Sequence, residues 1–579
     1  MVTNISTAAA NVNEAHATAA FVADASSTEI PLAEREPPEI NTELTNALAE
    51  VEAADRPRFP SSRMLSMPIA VASVPAPPSE KQLGESDSIE GAVDGIGGQV
   101  REMLGNGDLL VIWLLDASLS LVDDRQIVAD RLGLVYAAIE KEQQEAAAAH
   151  KVKPPQLTNA VVAFGNGLQQ VTAPTKYAGR AVNAIRDIPV DQTGVENVFS
   201  AVTGCIRKYA TNRHKQLLIV IWTDESGDDY LLLEPTIASC QQTGTRVCVV
   251  GPGAMLGAEQ GTHAYQHPAN GQWYQLPVKK GADAALAEKI RWPYWWRNHS
   301  VWQRPEGDLV DRFDGSFFLH DVLPISSGFG TYALTRLTLQ TGGTMTVFDR
   351  PADRGPFRLA DMRPYTPDYR AWNVLLEELN YFPLRKAVMQ SVDVTRTIKC
   401  PITPYNTYYF LSPGAIQRNL ALSEVQTRPS AAAIELALSA FGEQGMEHEY
   451  EYEDSPRWKA WYDLTRGRLL AQSVRYAEHR ALCLLLTQPG ALPENVNCFL
   501  TSAGHPFLSG KAGEARAREA ERLLRRCVEK NPNTPWEVLA QTELDIPVGI
   551  AYRTFYQEPP PPVAAPAGMP QAPLSFPKL

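Results

Sequence analysis

The stretch LLVIWLLDASLS (residues 109–120) decides the fold. Its first eight residues form a continuous apolar run that ends in an acid, a pattern typical of a parallel strand buried on both faces. Oxygen-bearing side chains then follow at alternate positions, namely Asp116, Ser118 and Ser120. Because ligands of open α/β sheets bind beyond the carboxyl ends of the strands, these side chains can converge on one point. Their chemistry indicates a hard divalent cation such as Mg²⁺.

Around this stretch, segments whose apolar residues have helical spacing alternate with segments that have the pattern of strands. Apolar residues at helical spacing follow it and predict an amphipathic helix: Val128, Leu132, Val135, Tyr136 and Ile139. Residues 159–173 predict a β-hairpin around Asn-Gly, and buried strands are predicted at 216–224, 245–251 and 344–348. This alternation predicts an α/β fold, a doubly wound, mostly parallel (Rossmann-like) sheet with one antiparallel edge strand.

Two further oxygen donors are predicted at the same edge of the sheet. Asp224 ends the strand 216–224, and Thr193 lies in DQTGVENVF (191–199), just before a helix. All of these side chains come from loops on one face of the sheet. The predicted metal ligands are therefore Asp116, Ser118, Ser120, Thr193 and Asp224.

These residues carry a family resemblance. DASLS, the later Thr193 and the TD of WTDESGDD (222–229) together resemble the metal-ion-dependent adhesion site of von Willebrand factor A (vWA) domains. LTRLTLQTGGTMTVFD (334–349) is similar to the last helix and strand of that family. The resemblance implies a vWA-like domain over residues 108–350 with a bound Mg²⁺, or alternatively Mn²⁺ or Ca²⁺.

The resemblance also implies roles for the ligands. Ser118 and Ser120 would coordinate the ion directly, whereas Thr193, Asp116 and Asp224 would do so directly or through water. One coordination position stays open in the family, and an Asp or Glu of a partner protein often fills it. This sequence departs from the family at Glu225, where Gly is common. The departure is expected to alter the loop while leaving the Asp224 ligand in place.

A second ion is an open alternative. Asp123 and Asp124 follow the DASLS loop at a spacing that resembles integrin β-subunit domains, where such a pair helps to hold an adjacent ion. The simpler interpretation is that acids in the first turn of a helix interact favourably with its dipole, by roughly 0.3–1 kcal/mol each.

A long insert is predicted inside the domain, at about residues 252–328, and it holds five of the eleven Trp residues of the chain. It leaves the strand 245–251 at the carboxyl end, so we expect it to lie beside or over the metal site. Its stretch RWPYWWRNHSVW (291–302) is interpreted as a small core that anchors the insert or, alternatively, as a partner-recognition surface.

Four regions are expected along the chain. Residues 1–85 are interpreted as a disordered Ala/Pro-rich arm, 86–350 as the vWA-like domain, 351–557 as mainly helical, and 558–579 as an extended Pro-rich tail. In the helical region, TPWE (534–537) predicts a capped helix start with Pro at the first position. The two helices around this turn resemble a tetratricopeptide-type pair, with ordinary helical packing as the alternative.

Composition limits the classes of partner and compartment. A net charge of −13 argues against nucleic acid as a partner. The seven cysteines are scattered and form no C-x-x-C pair, which argues against a disulfide framework and indicates buried thiols in a reducing compartment. The sequence contains no apolar run of about 18 residues and no signal-peptide pattern at its start. We therefore expect a cytoplasmic protein, or an extracytoplasmic one if the true start differs.

The motifs favour binding over catalysis. The sequence contains no G-x-S-x-G, H-E-x-x-H or Walker A motif, so we predict no enzymatic activity. The predicted function is to bind a protein partner through a divalent ion and a carboxylate of that partner. One alternative is an assembly or chaperone-like partner of an AAA-type ATPase. The other is a metal-dependent hydrolase, for which Glu225, Asp228 and Asp229 are the nearest candidate bases.

Overall fold

The structure is a computed structural model. It describes residues 82–150, 153–210, 216–258, 261–286, 288–290, 299–303, 309–313, 325–349, 357–398, 406–505 and 507–558. The predicted Ala/Pro-rich arm lies outside these residues except for its last four, and the predicted Pro-rich tail lies outside them except for its first. Among the described helices, none is both long and apolar enough to cross a bilayer.

A seven-stranded sheet forms the centre of the first domain. Its strands are β1 (Leu83–Glu85), β2 (Leu109–Asp116), β3 (Leu157–Phe164), β4 (Leu168–Thr175), β5 (Gln216–Trp222), β6 (Arg246–Gly251) and β13 (Met345–Val347). Their order in the sheet is β1-β13-β6-β5-β2-β3-β4. All neighbours are parallel except β4, which runs antiparallel to β3 at the edge. The predicted α/β sheet with one antiparallel edge strand is confirmed, and the fold is vWA-like.

Helices cover both faces of this sheet. They are α1 (Ile89–Leu104), α2 (Val122–His150), α3 (Ala178–Arg186), α4 (Val198–Tyr209), α5 (Leu233–Thr243) and α6 (Tyr332–Gln340). Odd-numbered residues of β2, from Leu109 to Leu115, pack with α1, α2 and α3, whereas even-numbered ones, from Leu110 to Leu114, pack with α4, α5 and α6. Burial on both faces explains why β2 is apolar at every position before Asp116.

The insert contributes strands to three smaller sheets. These strands are β7 (Gly253–Met255), β8 (Gly261–Gln266), β9 (Trp273–Val278), β10 (His299–Gln303), β11 (Leu309–Phe313) and β12 (Ser326–Gly330). β7 pairs with β12, and β8 pairs with β9, both antiparallel. The predicted core of Trp292, Trp295 and Trp296 lies outside the described residues.

The region after residue 350 contains a sheet that the sequence analysis did not predict. Its strands β14 (Thr407–Tyr409), β15 (Cys498–Gly504) and β16 (Gly549–Phe555) join β10 and β11 of the insert in the order β11-β10-β14-β15-β16. β14 has three residues, and its partners lie more than 90 positions away in the sequence. Local apolar periodicity cannot reveal such a pairing, because each strand is short and its partners are distant.

Most of this region is nevertheless helical. Its helices are α7 (Leu359–Met362), α8 (Trp372–Glu378), α9 (Pro383–Thr397), α10 (Pro413–Ser439), α11 (Glu447–Tyr452), α12 (Pro456–Leu486), α13 (Lys511–Lys530) and α14 (Pro535–Leu544). α12 packs against α9, α10, α13 and α14. The predicted helix start is present, since the Thr534 hydroxyl accepts a hydrogen bond from the Glu537 N–H. Because one long helix organises the bundle, the tetratricopeptide-type resemblance is not confirmed.

The insert also shares a hydrophobic core with the helical region. Leu286 and Ile290 of the insert belong to the same buried cluster as Trp458 and Trp461 of α12. The six cysteines of the described residues are free and buried, and Cys400 lies outside those residues. The insert is therefore packed between the vWA-like sheet and the helical bundle.

Candidate metal centre

The first ligand loop is folded around Asp116, the buried last residue of β2. Asp116 Oδ1 accepts a hydrogen bond from the Ser118 N–H (2.7 Å), and Oδ2 accepts one from the Thr223 hydroxyl (2.9 Å). The hydroxyls of Ser118 and Ser120 lie 2.9 Å apart. The three predicted donors of the DASLS loop are therefore brought together at the carboxyl end of β2.

The buried guanidinium of Arg125 is hydrogen-bonded to the backbone of the DASLS loop. Arg125, in the first turns of α2, donates hydrogen bonds to the backbone carbonyls of Asp116 (2.7 Å) and Ser118 (3.1 Å). Burial lowers the pKa of Arg125, while the charges of Asp116, Asp124 and Asp224 oppose that shift. The sequence analysis did not identify this residue, because an Arg within a helix is usually a solvent-exposed side chain.

The loop that carries Thr193 packs directly against the DASLS loop. The Asp191 N–H donates to the Ala117 carbonyl at 2.8 Å. The Asp191 carboxylate accepts the N–H groups of Thr193 (2.8 Å) and Asn166 (2.9 Å). Although burial opposes the shift, these hydrogen bonds lower the pKa of Asp191. Thr193 is exposed beside the site, and its backbone N–H is the group that is hydrogen-bonded to Asp191. Its role as a metal ligand stays a prediction.

The acid that approaches the centre from this loop is Glu196, which the sequence analysis did not identify. Carboxylate oxygens of Asp116, Glu196 and Asp224 all lie within 4.8 Å of one another. Glu196 stands three residues after Thr193, just before α4, where an acid is an ordinary helix-start residue. Glu196 is buried because of the path of the irregular loop 187–197, and the spacing of apolar residues in the sequence does not predict that path.

The electrostatics of this cluster are unfavourable without a cation. Burial, and then the charge of Asp224, raise the pKa of Asp116 to about 7. Burial, and then the charge of Asp116, raise the pKa of Glu196 well above its usual range. Two buried carboxylate oxygens, Glu196 Oε2 and Asp224 Oδ1, have no hydrogen-bond partner. Buried charges are normally paired or bound to metal, so carboxylate and hydroxyl donors in this state fit a hard divalent ion.

Asp123 and Asp124, the predicted ligands of a second ion, differ in their surroundings. Asp123 is exposed in the first turn of α2, whereas Asp124 is buried. Asp124 and Asp224 line a small cavity of about 30 Å³ together with Lys280 of the insert. The second ion stays a prediction.

Glu225 stands where the family commonly has Gly, and its side chain contacts the insert. Its N–H donates to the Thr223 hydroxyl at 3.2 Å, and its carboxylate accepts the Lys279 N–H at 3.4 Å. Burial, and then the charge of Asp224, raise the pKa of Glu225 to about 8. The Lys279 ammonium forms an ion pair with Asp228 at 2.9 Å. Residues 279–280 of the insert therefore lie beside the candidate metal centre.

Fold and site together define a vWA-like domain with an oxygen-rich, acidic candidate metal centre. No protein-family model matches the chain, and no curated protein matches it. Among solved structures, the chain is similar to proximal thread matrix protein 1 from the mussel byssus, at 15% identity and a TM-score of 0.20. That structure has zinc in its metal-ion-dependent adhesion site (MIDAS) motif. That match covers 26% of this chain and 36% of the byssus protein, so the chain spans about a third of that relative.

Two bacterial structures are similar over a longer part of the chain. BatB from Bacteroides thetaiotaomicron is 12% identical, with a TM-score of 0.24, over 47% of this chain and 98% of BatB. An aerotolerance-related membrane protein from Bacteroides fragilis is 10% identical, with a TM-score of 0.23, over 47% of this chain and 99% of that one. The vWA-like assignment rests on the strand order and on the loops around Asp116 rather than on these scores.

Proposed function

We propose that the vWA-like domain binds a divalent cation, Mg²⁺ or Mn²⁺ with Ca²⁺ as a further candidate, and captures a protein partner through a carboxylate of that partner. The observation that carries the proposal is the pair of buried, unpartnered oxygens, Glu196 Oε2 and Asp224 Oδ1. An unpaired buried charge costs several kcal/mol, and a bound cation offsets that cost. Asp116, Ser118, Ser120, Glu196 and Asp224 would hold the ion, and Thr193 would be a further ligand, directly or through water.

The exposed surroundings of the site support partner capture. Leu119, between the two serines, is exposed, and so are Thr193 and Gly194 on the neighbouring loop. A partner carboxylate can therefore approach the ion from solvent between these two loops. A protein is the preferred partner class, because the net charge of −13 disfavours nucleic acid.

Binding is preferred to catalysis because the candidate bases are already engaged. The Glu225 carboxylate accepts the Lys279 N–H, and Asp228 pairs with the Lys279 ammonium. Asp229 accepts the N–H groups of Phe199 and Ser200 at the start of α4. A general base must point towards a substrate proton, whereas these contacts turn the three acids towards the insert and the start of α4.

The experiment combines Mn²⁺ titration with affinity capture. Wild type, Asp116→Ala and the exposed control Asp187→Asn are titrated with Mn²⁺ by calorimetry, and their folding is compared by thermal unfolding. We expect wild type and control to bind one ion and Asp116→Ala to lose it while staying folded. Proteins captured in Mg²⁺ should be released by chelator. Equal capture by Asp116→Ala and wild type would contradict the proposal.

A further inference from the structure

Three consecutive large apolar side chains are exposed close to the metal centre. Tyr230, Leu231 and Leu232 form a short 3-10 turn, here called the YLL turn, and are 49%, 81% and 42% exposed. Single exposed apolar residues are ordinary on protein surfaces, whereas adjacent ones form a patch that marks an interaction site. The YLL turn follows Asp224 on the loop that leaves β5.

Hydrogen bonds attach this turn to the metal-bearing loop. The Asp228 N–H donates to the Glu196 carbonyl at 2.7 Å, and Asp228 Oδ2 accepts the Glu196 N–H at 3.1 Å. Asp229 then accepts the N–H groups of Phe199 (3.1 Å) and Ser200 (2.7 Å). The two residues that precede the turn are thus held by the chain around Glu196. The position of the turn relative to the centre is therefore set by the fold.

The insert fixes one end of the turn. The Lys279 ammonium pairs with Asp228 and lies 5.8 Å from the ring centroid of Tyr230, a cation–π distance. Leu231 is the most exposed of the three, so most of its apolar side chain is left to cover. The turn therefore offers a preformed apolar contact whose ordering costs little on binding.

Charge indicates what kind of segment can cover it. Carboxylates outnumber cationic side chains around this edge of the sheet, and an ion at the centre would leave a local excess of negative charge. The acids are Asp116, Glu196, Asp224, Glu225, Asp228 and Asp229, and the cations are Arg125, Lys279 and Lys280. A segment with several acids would be repelled, whereas a single carboxylate on the ion with apolar neighbours would not.

We propose that the YLL turn is the second contact of the partner, which presents one Asp or Glu to the ion and an apolar side chain about three residues away to Leu231. This inference rests on the proposed function. The Asp228 N–H is hydrogen-bonded to the Glu196 carbonyl, and Leu231 lies three positions further along the chain, so at most about 10 Å of chain joins this contact to Leu231. An extended segment covers that distance with about three residues.

The test uses a phage-displayed random peptide library, selected on wild type in Mn²⁺ and eluted with chelator. We expect enriched peptides to contain one acid with an apolar residue about three positions away. Leu231→Ser should weaken their binding about tenfold or more and leave Mn²⁺ affinity unchanged. Leu422→Ser, which replaces an exposed Leu of α10, is the matched control and should bind as wild type does.

The outcomes separate this inference from the proposed function. If Mn²⁺ binds but the selected peptides bind Leu231→Ser as tightly as wild type, or if selection enriches no apolar residue at that spacing, the YLL turn is not the second contact. If wild type binds no Mn²⁺, or if peptides bind equally in chelator, the metal-dependent function itself is wrong.

Discussion

Arg457 of α12 and Asp283 of the insert form an ion pair of 2.8 Å in the protein interior, with side chains only 2% and 0% exposed. The same guanidinium pairs with Glu288 at 2.5 Å, and Trp461 Nε1 donates to Glu288 at 2.6 Å. This network joins the helical bundle to the insert, and the insert contacts Glu225 and Asp228 beside the candidate metal centre. The two halves of the protein are therefore connected through the insert.

Removal of this buried cation should be strongly destabilising. Arg457→Ala would leave Asp283 and Glu288 as buried charges without their partner, so we expect a loss of about 3–5 kcal/mol in the free energy of unfolding. Urea denaturation measures it. Arg518→Ala, which breaks an exposed ion pair with Glu514, is the control and should cost less than about 1 kcal/mol. Equal losses in the two variants would show that the buried network does not stabilise the fold more than an exposed ion pair does.

The hydrogen bonds from Arg125 should position the metal ligands. Arg125→Lys keeps the positive charge, but the shorter Lys side chain should not reach both the Asp116 and the Ser118 carbonyl, which Arg125 Nη1 holds together. We expect Mn²⁺ affinity to fall by about 10–100-fold, the usual effect of losing a residue that orients metal ligands. Calorimetric titration measures it, with Arg131→Lys on the same helix as the control. Unchanged affinity in Arg125→Lys would exclude the positioning role.

Gly343, in the TGG stretch before β13, should not tolerate a side chain. A Cβ atom there would overlap the backbone carbonyl of Val247, which cannot move without disturbing β6. We expect Gly343→Ala to lower the melting temperature by several degrees. Gly98→Ala in α1, where a Cβ has free space, should raise stability by up to about 1 kcal/mol. Thermal unfolding that moves both variants in the same direction would refute this explanation.

Acid should destabilise the helical bundle through His479. Burial lowers the pKa of His479 to about 4, although the nearby Glu424 opposes the shift, and the ring lies 3.3 Å from the Ser423 hydroxyl and 3.4 Å from Cys483 Sγ. The unfolded chain takes up the proton near pH 6.5, so stability is lost as pH falls from about 6.5 towards 4.

The measurement for His479 is the free energy of unfolding between pH 7 and pH 4. His479→Gln should lose less stability than wild type over that range, by up to about 3 kcal/mol. His505→Gln, at an exposed site, should follow the wild-type curve. Identical pH profiles for His479→Gln and wild type would mean that this ring is not buried in the neutral form.

Much of the first domain could be predicted from local patterns. β2 and β5 are apolar at nearly every position because both faces are covered, and the helical spacing in α2 matches its buried positions. The candidate donors Asp116, Ser118, Ser120 and Asp224 could be predicted to lie close together because they stand at or just after the carboxyl ends of those strands. The edge hairpin could be found because Asn-Gly marks it in a segment of strand periodicity.

The rest depends on contacts that no local pattern carries. Glu196 and Asp191 approach the site through the irregular loop 187–197, and Lys279 reaches it from the insert, more than 50 residues after Asp224. β14 pairs with strands that precede and follow it at long range. These features follow from how the insert and the bundle pack together, so they appear only in the folded chain.

Glu196 tests the central claim most directly, because the fold and not the family resemblance brings it to Asp116 and Asp224. The measurement is calorimetric titration of Mn²⁺ into wild type, Glu196→Gln and the exposed control Glu90→Gln, with melting temperatures measured with and without the ion. The account predicts one tight ion and a raised melting temperature in wild type and control, with both effects largely lost in Glu196→Gln. Wild-type Mn²⁺ affinity in Glu196→Gln, or no binding in wild type, would contradict it.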